Sequence, residues 1–128
     1  MSVEMKGYEF IGEGFNVVTA GKVEGVAKSV NTPDQMVRLM GVSEEVKKLI
    51  LITPGGTTTF VAPALMAGVR GVITFAGAPE SHLGIIAREF RIPVIMSLRL
   101  EEGKGIPEGG TVLMDCTSAK IGRVYAKT

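Results

Sequence analysis

"VITFAGAPESHLGIIAREFRIPVIM", from Val72 to Met96, decides the fold class and holds the one histidine of the chain, His82. Val72-Ile73-Thr74-Phe75 and Pro93-Val94-Ile95-Met96 are short apolar runs without alternation, the pattern of strands buried on both faces. Between them a loop of small residues, Ala76 to Ser81, leads into a segment with a helical period. There Leu83, Ile86, Ala87 and Phe90 fall at i, i+3, i+4 and i+7, one continuous apolar stripe that predicts a helix from Ser81 to Phe90. A strand, a helix and a strand at this spacing predict a right-handed βαβ unit.

The same reading extends upstream. Leu49-Ile50-Leu51-Ile52 is a third apolar run, and Thr58 to Ala67 a second helical segment closed by Gly68, with Pro63 as an interior cost. Thr32-Pro33-Asp34-Gln35 carries the signals of a helix start: a capping threonine, proline in first position and a glutamine closing the capping box. Met36, Val37, Leu39 and Met40 are expected to form its buried side, with Gly41 ending it. Gly21 to Val30, Thr111 to Asp115 and Ile121 to Tyr125 read as glycine-punctuated β structure, the last two as a hairpin through Cys116 to Lys120. The expected fold is α/β, a short parallel βαβ core with additional β structure from both termini. Residues 1–128 are read as one domain.

Composition narrows the function. Hydrophobic residues are 45% of the chain and charged residues 21%, a globular balance that argues against disorder. The formal net charge is +1, with no tryptophan and few aromatics, so the electrostatic and stacking signatures of a nucleic-acid binder are missing. No apolar run approaches the roughly 18 residues of a membrane span. MSVEMKGYEF does not read as a leader, and a lone cysteine, Cys116, suits a reducing interior. A cytoplasmic setting is expected.

Ligands of open α/β sheets bind beyond the carboxyl ends of the strands. Three loops are expected to gather there: Thr53 to Thr59, Ala76 to Ser81, and Ser97-Leu98-Arg99. His82 opens the helix after the second, roughly 90° from the centre of the apolar stripe, so it flanks the core instead of filling it. The first N–H groups of a helix lack intrahelical acceptors and favour anions. Spacing alone leaves two readings open: a surface histidine beside a cap, or an imidazole whose phosphoryl adduct would meet ready donors.

ESHLGIIAREFRIPVIMS, Glu80 to Ser97, resembles the active segment of the phosphohistidine swivelling domain, the mobile domain of PEP-utilising enzymes, whose pattern is roughly GGxTSHAAIVARExGIPAVVG. Ser81, His82, Ile85, Ala87, Arg88, Glu89, Ile92 and Pro93 match in register. Gly21 to Val30, Leu49 to Pro63 and Gly109 to Val124 are similar, in the same order, to the family's opening strand, threonine-rich turn and closing strands. The resemblance implies a swivelling β/β/α domain in which His82 accepts a phosphoryl group. It implies supporting roles for Ser81, for the helix-start positions Leu83 and Gly84, for Thr57, Thr58 and Thr59, for Gly77 and for Arg88. Three departures stand out. Ala78 replaces a glycine, Glu80 replaces a threonine, and Leu83-Gly84 replaces a small pair. A carboxylate at 80 would repel a nearby phosphoryl group unless it points away or meets a cation.

Other motifs fail. Thr53 to Thr59 lacks GxxxxGK[ST], Gly12-Glu13-Gly14 reads as a turn, and one histidine with one cysteine cannot build a histidine-based zinc site. The expected function is a phosphocarrier subunit of a split, dikinase-like phosphotransferase, not a complete enzyme alone. No cofactor is expected on this chain; Mg²⁺ and ATP or PEP would belong to partner subunits that bind nucleotide, PEP or pyruvate. Self-association is left open. Two alternatives are a non-catalytic assembly domain, like that appended to some pyruvate kinases, and a swivelling lid subunit of an aconitase-like dehydratase.

Overall fold

The computed structural model describes residues 7–40, 43–55, 58–78 and 80–128, with the side chains of 33, 40, 43, 44 and 58–60 outside the description. Seven strands are described: β1 (Tyr8–Asn16), β2 (Gly21–Ser29), β3 (Leu49–Thr53), β4 (Gly71–Thr74), β5 (Val94–Leu100), β6 (Thr111–Cys116) and β7 (Ile121–Lys127). They close into a barrel in the order β1-β5-β4-β3-β2-β6-β7. The pairs β2–β3, β3–β4 and β4–β5 are parallel; the pairs β1–β5, β1–β7, β2–β6 and β6–β7 are antiparallel. Four helices are described: α1 (Pro33–Met40), α2 (Ser43–Val46), α3 (Thr58–Ala67) and α4 (His82–Phe90).

This corrects the expected fold class. The molecule is a closed, mostly β barrel, not a short parallel βαβ α/β core with β structure added at its ends. The expectation failed for a physical reason: an apolar run reports burial on both faces but not what covers each face. In β3, Ile50 and Ile52 point into a core to which all seven strands contribute, including Ile11, Ala27, Ile73, Ile95, Met114 and Val124. Leu51, Val72, Val94 and Met96 point the other way, into a second core beneath Met36, Val61, Leu65, Leu83 and Ala87 of the helices. The parallel strands are therefore barrel wall on one face and helix platform on the other.

Closure depends on β1, which bonds to both β5 and β7. Gly12-Glu13-Gly14, read as a turn, lies inside this strand. A Cβ on Gly12 would stand 2.6 Å from the Arg99 carbonyl oxygen, and one on Gly14 would stand 2.5 Å from that of Met96. These glycines let two backbones approach closely; they do not punctuate a turn. Register steps from Glu13↔Arg99 to Phe15↔Met96, so Ser97 and Leu98 together oppose Gly14 in a β-bulge. Ser97 sits there at φ +55°, and Ser97-Leu98-Arg99 belongs to β5 instead of forming a loop.

The local signals fared better. Thr32 Oγ1 accepts from Gln35 N at 3.2 Å, and Gln35 Oε1 accepts from Asn31 N at 2.6 Å, a capping box shifted back by one residue. Val37 is 71% exposed, however, and Phe90 46%, so neither belongs to the buried stripe expected of it, and the Met40 side chain lies outside the description. Gly41 lies outside the described residues. Gly68, at φ +83°, follows α3, which packs against α1 and α4. β6 and β7 form the expected hairpin.

Candidate phosphoryl-acceptor site

His82 is the first residue of α4, and its imidazole is exposed. Ser81 caps the helix from an extended conformation, its Oγ accepting from Gly84 N at 3.3 Å. Ser81 N donates to Ala78 O at 2.9 Å and Ser81 O accepts from Ile85 N at 3.1 Å, so loop and first turn are laced together. The backbone N–H groups of His82 and Leu83 have no acceptor within the helix, as at any helix start. The capping acceptor is thus the Ser81 hydroxyl and not the Glu80 carboxylate. An exposed imidazole beside amides that have no acceptor within the helix suits an incoming anion.

The loop before the helix is held from below. Thr74 Oγ1, at the end of β4, donates to Ala76 O at 2.6 Å. Ser97 Oγ, on the β5 bulge, donates to Gly77 O at 2.6 Å. Gly77 itself sits at φ +111°, a conformation that glycine adopts freely. A Cβ on Gly55 would touch that of Ala76 at 3.1 Å, and Phe75 N donates to Thr53 O at 3.2 Å, bringing the end of β3 to the same rim.

Of the residues singled out in the sequence, Ser81, His82, Gly77 and the backbone of Leu83 and Gly84 come together here. The Leu83 side chain is 5% exposed and packs in the helix-side core, so only its amide faces this site. Thr58 and Thr59 open α3, with their side chains outside the description, and Thr57 lies outside the described residues. Arg88 does not join them. Six residues along the helix it is about 9 Å further up the axis and on another side. It lines a cleft with Glu80, Asn16 and Lys120. Ser97, expected at this rim as part of a loop, reaches it from β5 instead, at the position where the motif pattern has its final glycine. Among the described residues no three His, Cys, Asp or Glu side chains group as a metal site.

A sequence model described as "PEP-utilising enzyme, mobile domain" matches residues 46–119, and the chain belongs to that family. The matched span runs from α2 through the His82 helix to the β6–β7 turn. No curated protein matches the chain. Among solved structures it is similar to the solution structure of an Enzyme I protein, at 22% identity and TM-score 0.49, over 70% of this chain and 38% of that one. The chain therefore spans well under half of that Enzyme I structure. It is also similar to the solution structure of a UPF0107 protein, at 16% identity and TM-score 0.52, over 85% of this chain and 96% of that one. This second likeness covers more of the chain than the family match does. The class that fold and family define is a phosphotransfer-related domain. No described helix is long and apolar enough to cross a membrane.

Proposed function

We propose that His82 is a phosphoryl acceptor and that the chain carries the group between a donor and an acceptor bound on partner subunits or domains. The observation that supports this most is the exposed imidazole at the first position of α4, in register with the motif of its family. A ring nitrogen of His82 attacks the phosphorus of the donor. The N–P bond forms as the P–O bond to the donor breaks, and the donor oxygen leaves with the electron pair. In this reading the N–H groups at the start of α4 serve as donors to the new phosphoryl oxygens. The second transfer reverses these roles, an acceptor oxygen displacing the imidazole. Mg²⁺ and ATP or PEP belong in this reading to the partner, which binds nucleotide, PEP or pyruvate; Ser81, Gly77 and one or more of the hydroxyls of Thr57, Thr58 and Thr59 support the phosphoryl site.

The test is labelling with phosphoryl donor and partner proteins from the source cell. Phosphate that is stable to alkali, labile to acid and lost in His82→Ala is the expected result. Equal labelling of His82→Ala would overturn the proposal. A second reading, a non-catalytic assembly domain, draws on Glu80, whose carboxylate stands two residues from the histidine in place of a hydroxyl. It predicts no label and unchanged partner binding in His82→Ala.

A further inference from the structure

Asn16, the last residue of β1, is 4% exposed and spends every donor it has on one turn. Its backbone N–H bonds to Lys120 O at 2.9 Å, and Nδ2 bonds to Cys116 O at 3.2 Å and Ser118 O at 2.5 Å. These partners fix the amide's orientation, because exchanging O and N would set an acceptor against two carbonyls. Oδ1 is then left over. It is buried with no hydrogen-bond partner among the described residues, an expensive state for a carbonyl.

Asn16 also lines a cleft of about 540 Å³, between α4 and the seam where β1 meets β7. Phe15, Val17, Ala119 and Ile121 give it an apolar body. Arg88 from α4 and Lys120 from the β6–β7 turn add two cations, and Glu80 adds one carboxylate. Among the described residues neither cation has an ion-pair partner within 4.0 Å, whereas Arg123 nearby is matched to Glu13. The cleft thus offers a net positive charge and an apolar floor, in the size range of small-molecule sites, and the residue that carries the leftover buried acceptor lines it.

We propose that this cleft binds a small organic anion, a phosphate or carboxylate, that also carries a hydroxyl or amino donor. The anion meets Arg88 and Lys120, the donor meets Asn16 Oδ1, and Glu80 can accept from a second hydroxyl. The proposal does not require phosphorylation of His82. It gives Glu80 a place of its own, as the wall of a second site behind the histidine loop.

A backbone-amide NMR titration of the full chain tests it, with glycerol phosphate as probe and propyl phosphate as its counterpart without hydroxyls. Glycerol phosphate is expected to shift the amides of Asn16, Val17, Arg88 and Lys120 saturably. The Arg88→Met/Lys120→Met double variant, altered only at exposed side chains, should bind about tenfold more weakly or worse. Glu80→Gln should bind several-fold more tightly, since a like charge is removed. Propyl phosphate should bind at least threefold more weakly than glycerol phosphate. No saturable shift, binding unchanged in the double variant, or equal binding of the two phosphates would each overturn the proposal.

Discussion

The hydroxyl of Ser97 donates to the carbonyl oxygen of Gly77 at 2.6 Å, tying the bulge of β5 to the loop that delivers His82. Ser97 holds this position at φ +55°, in the left-handed region where a side chain is strained. The family pattern has a glycine there. This chain has accepted backbone strain and gained a hydrogen bond to the histidine loop.

Replacing Ser97 separates the two effects. Ser97→Ala keeps the strain and loses the bond, and should destabilise by about 1 kcal/mol. Ser97→Gly loses the same bond but relieves the strain, and should lie about 1 kcal/mol above the alanine variant. Urea denaturation of both variants checks this. Amide hydrogen exchange at Ala76 to Ala78 should quicken in both, and an unchanged loop would deny Ser97 its role as anchor.

Arg91 occupies another glycine position of the pattern. At φ 57° and ψ 38° it closes α4 in the left-handed conformation, with Arg91 N donating to Arg88 O and Ile92 N to Ala87 O, both at 3.2 Å. These two bonds make a Schellman ending, which glycine satisfies without a Cβ penalty. Arg91→Gly should stabilise the protein by about 1 kcal/mol, since its exposed side chain has little packing to lose. A drop in the urea midpoint would contradict this.

Ser81 holds the first turn of α4 and so the direction in which His82 projects. Ser81→Ala removes the acceptor for Gly84 N and should cost about 1 kcal/mol. Ser81→Asp keeps an acceptor and should restore stability. In the phosphoryl-transfer reading it should not restore labelling of His82, because it adds negative charge at the helix start. Labelling of the aspartate variant at the native rate would count against donors gathered around a phosphoryl group.

Cys116 is fully buried in the barrel, and burial, with Asp115 beside it, pushes its thiol up to about 12 from an ordinary 9.0. The folded state therefore holds the thiol proton more tightly than the unfolded chain. Its contribution to stability is intact below about pH 9 and is lost as pH rises towards about 12. Stability should thus fall over that window with a component of about 1.4 kcal/mol per pH unit, absent in Cys116→Ser. At pH 8 an aromatic disulfide reagent should not react until denaturant is added. Rapid reaction of the folded protein would show that the thiol is reachable.

Much of the local structure was legible in the residues. Thr32 and Ser81 announce helix starts because a hydroxyl next to an apolar period satisfies amides that helix geometry leaves unpaired. His82 could be placed at a helix mouth for the same reason, and its motif carried the family. Arg88 belonged to the same motif, yet shares the cleft with Glu80 and Lys120 instead of the histidine's surroundings. Sequence adjacency along a helix does not say which face a residue shares with a distant strand.

Local chemistry alone determined where helices start and which strands are buried on both sides, while the phosphoryl-acceptor reading of His82 came from its motif. The first two follow from hydrogen-bond demand and apolar periodicity within a few residues. Only the tertiary structure decided that the strands close into a barrel, because closure rests on β1 bonding to strands about 80 residues or more away. It also decided why Gly12 and Gly14 lack side chains, and what Asn16 and Ser97 hold in place. Each of those answers depends on a contact between distant segments, which composition and spacing do not encode.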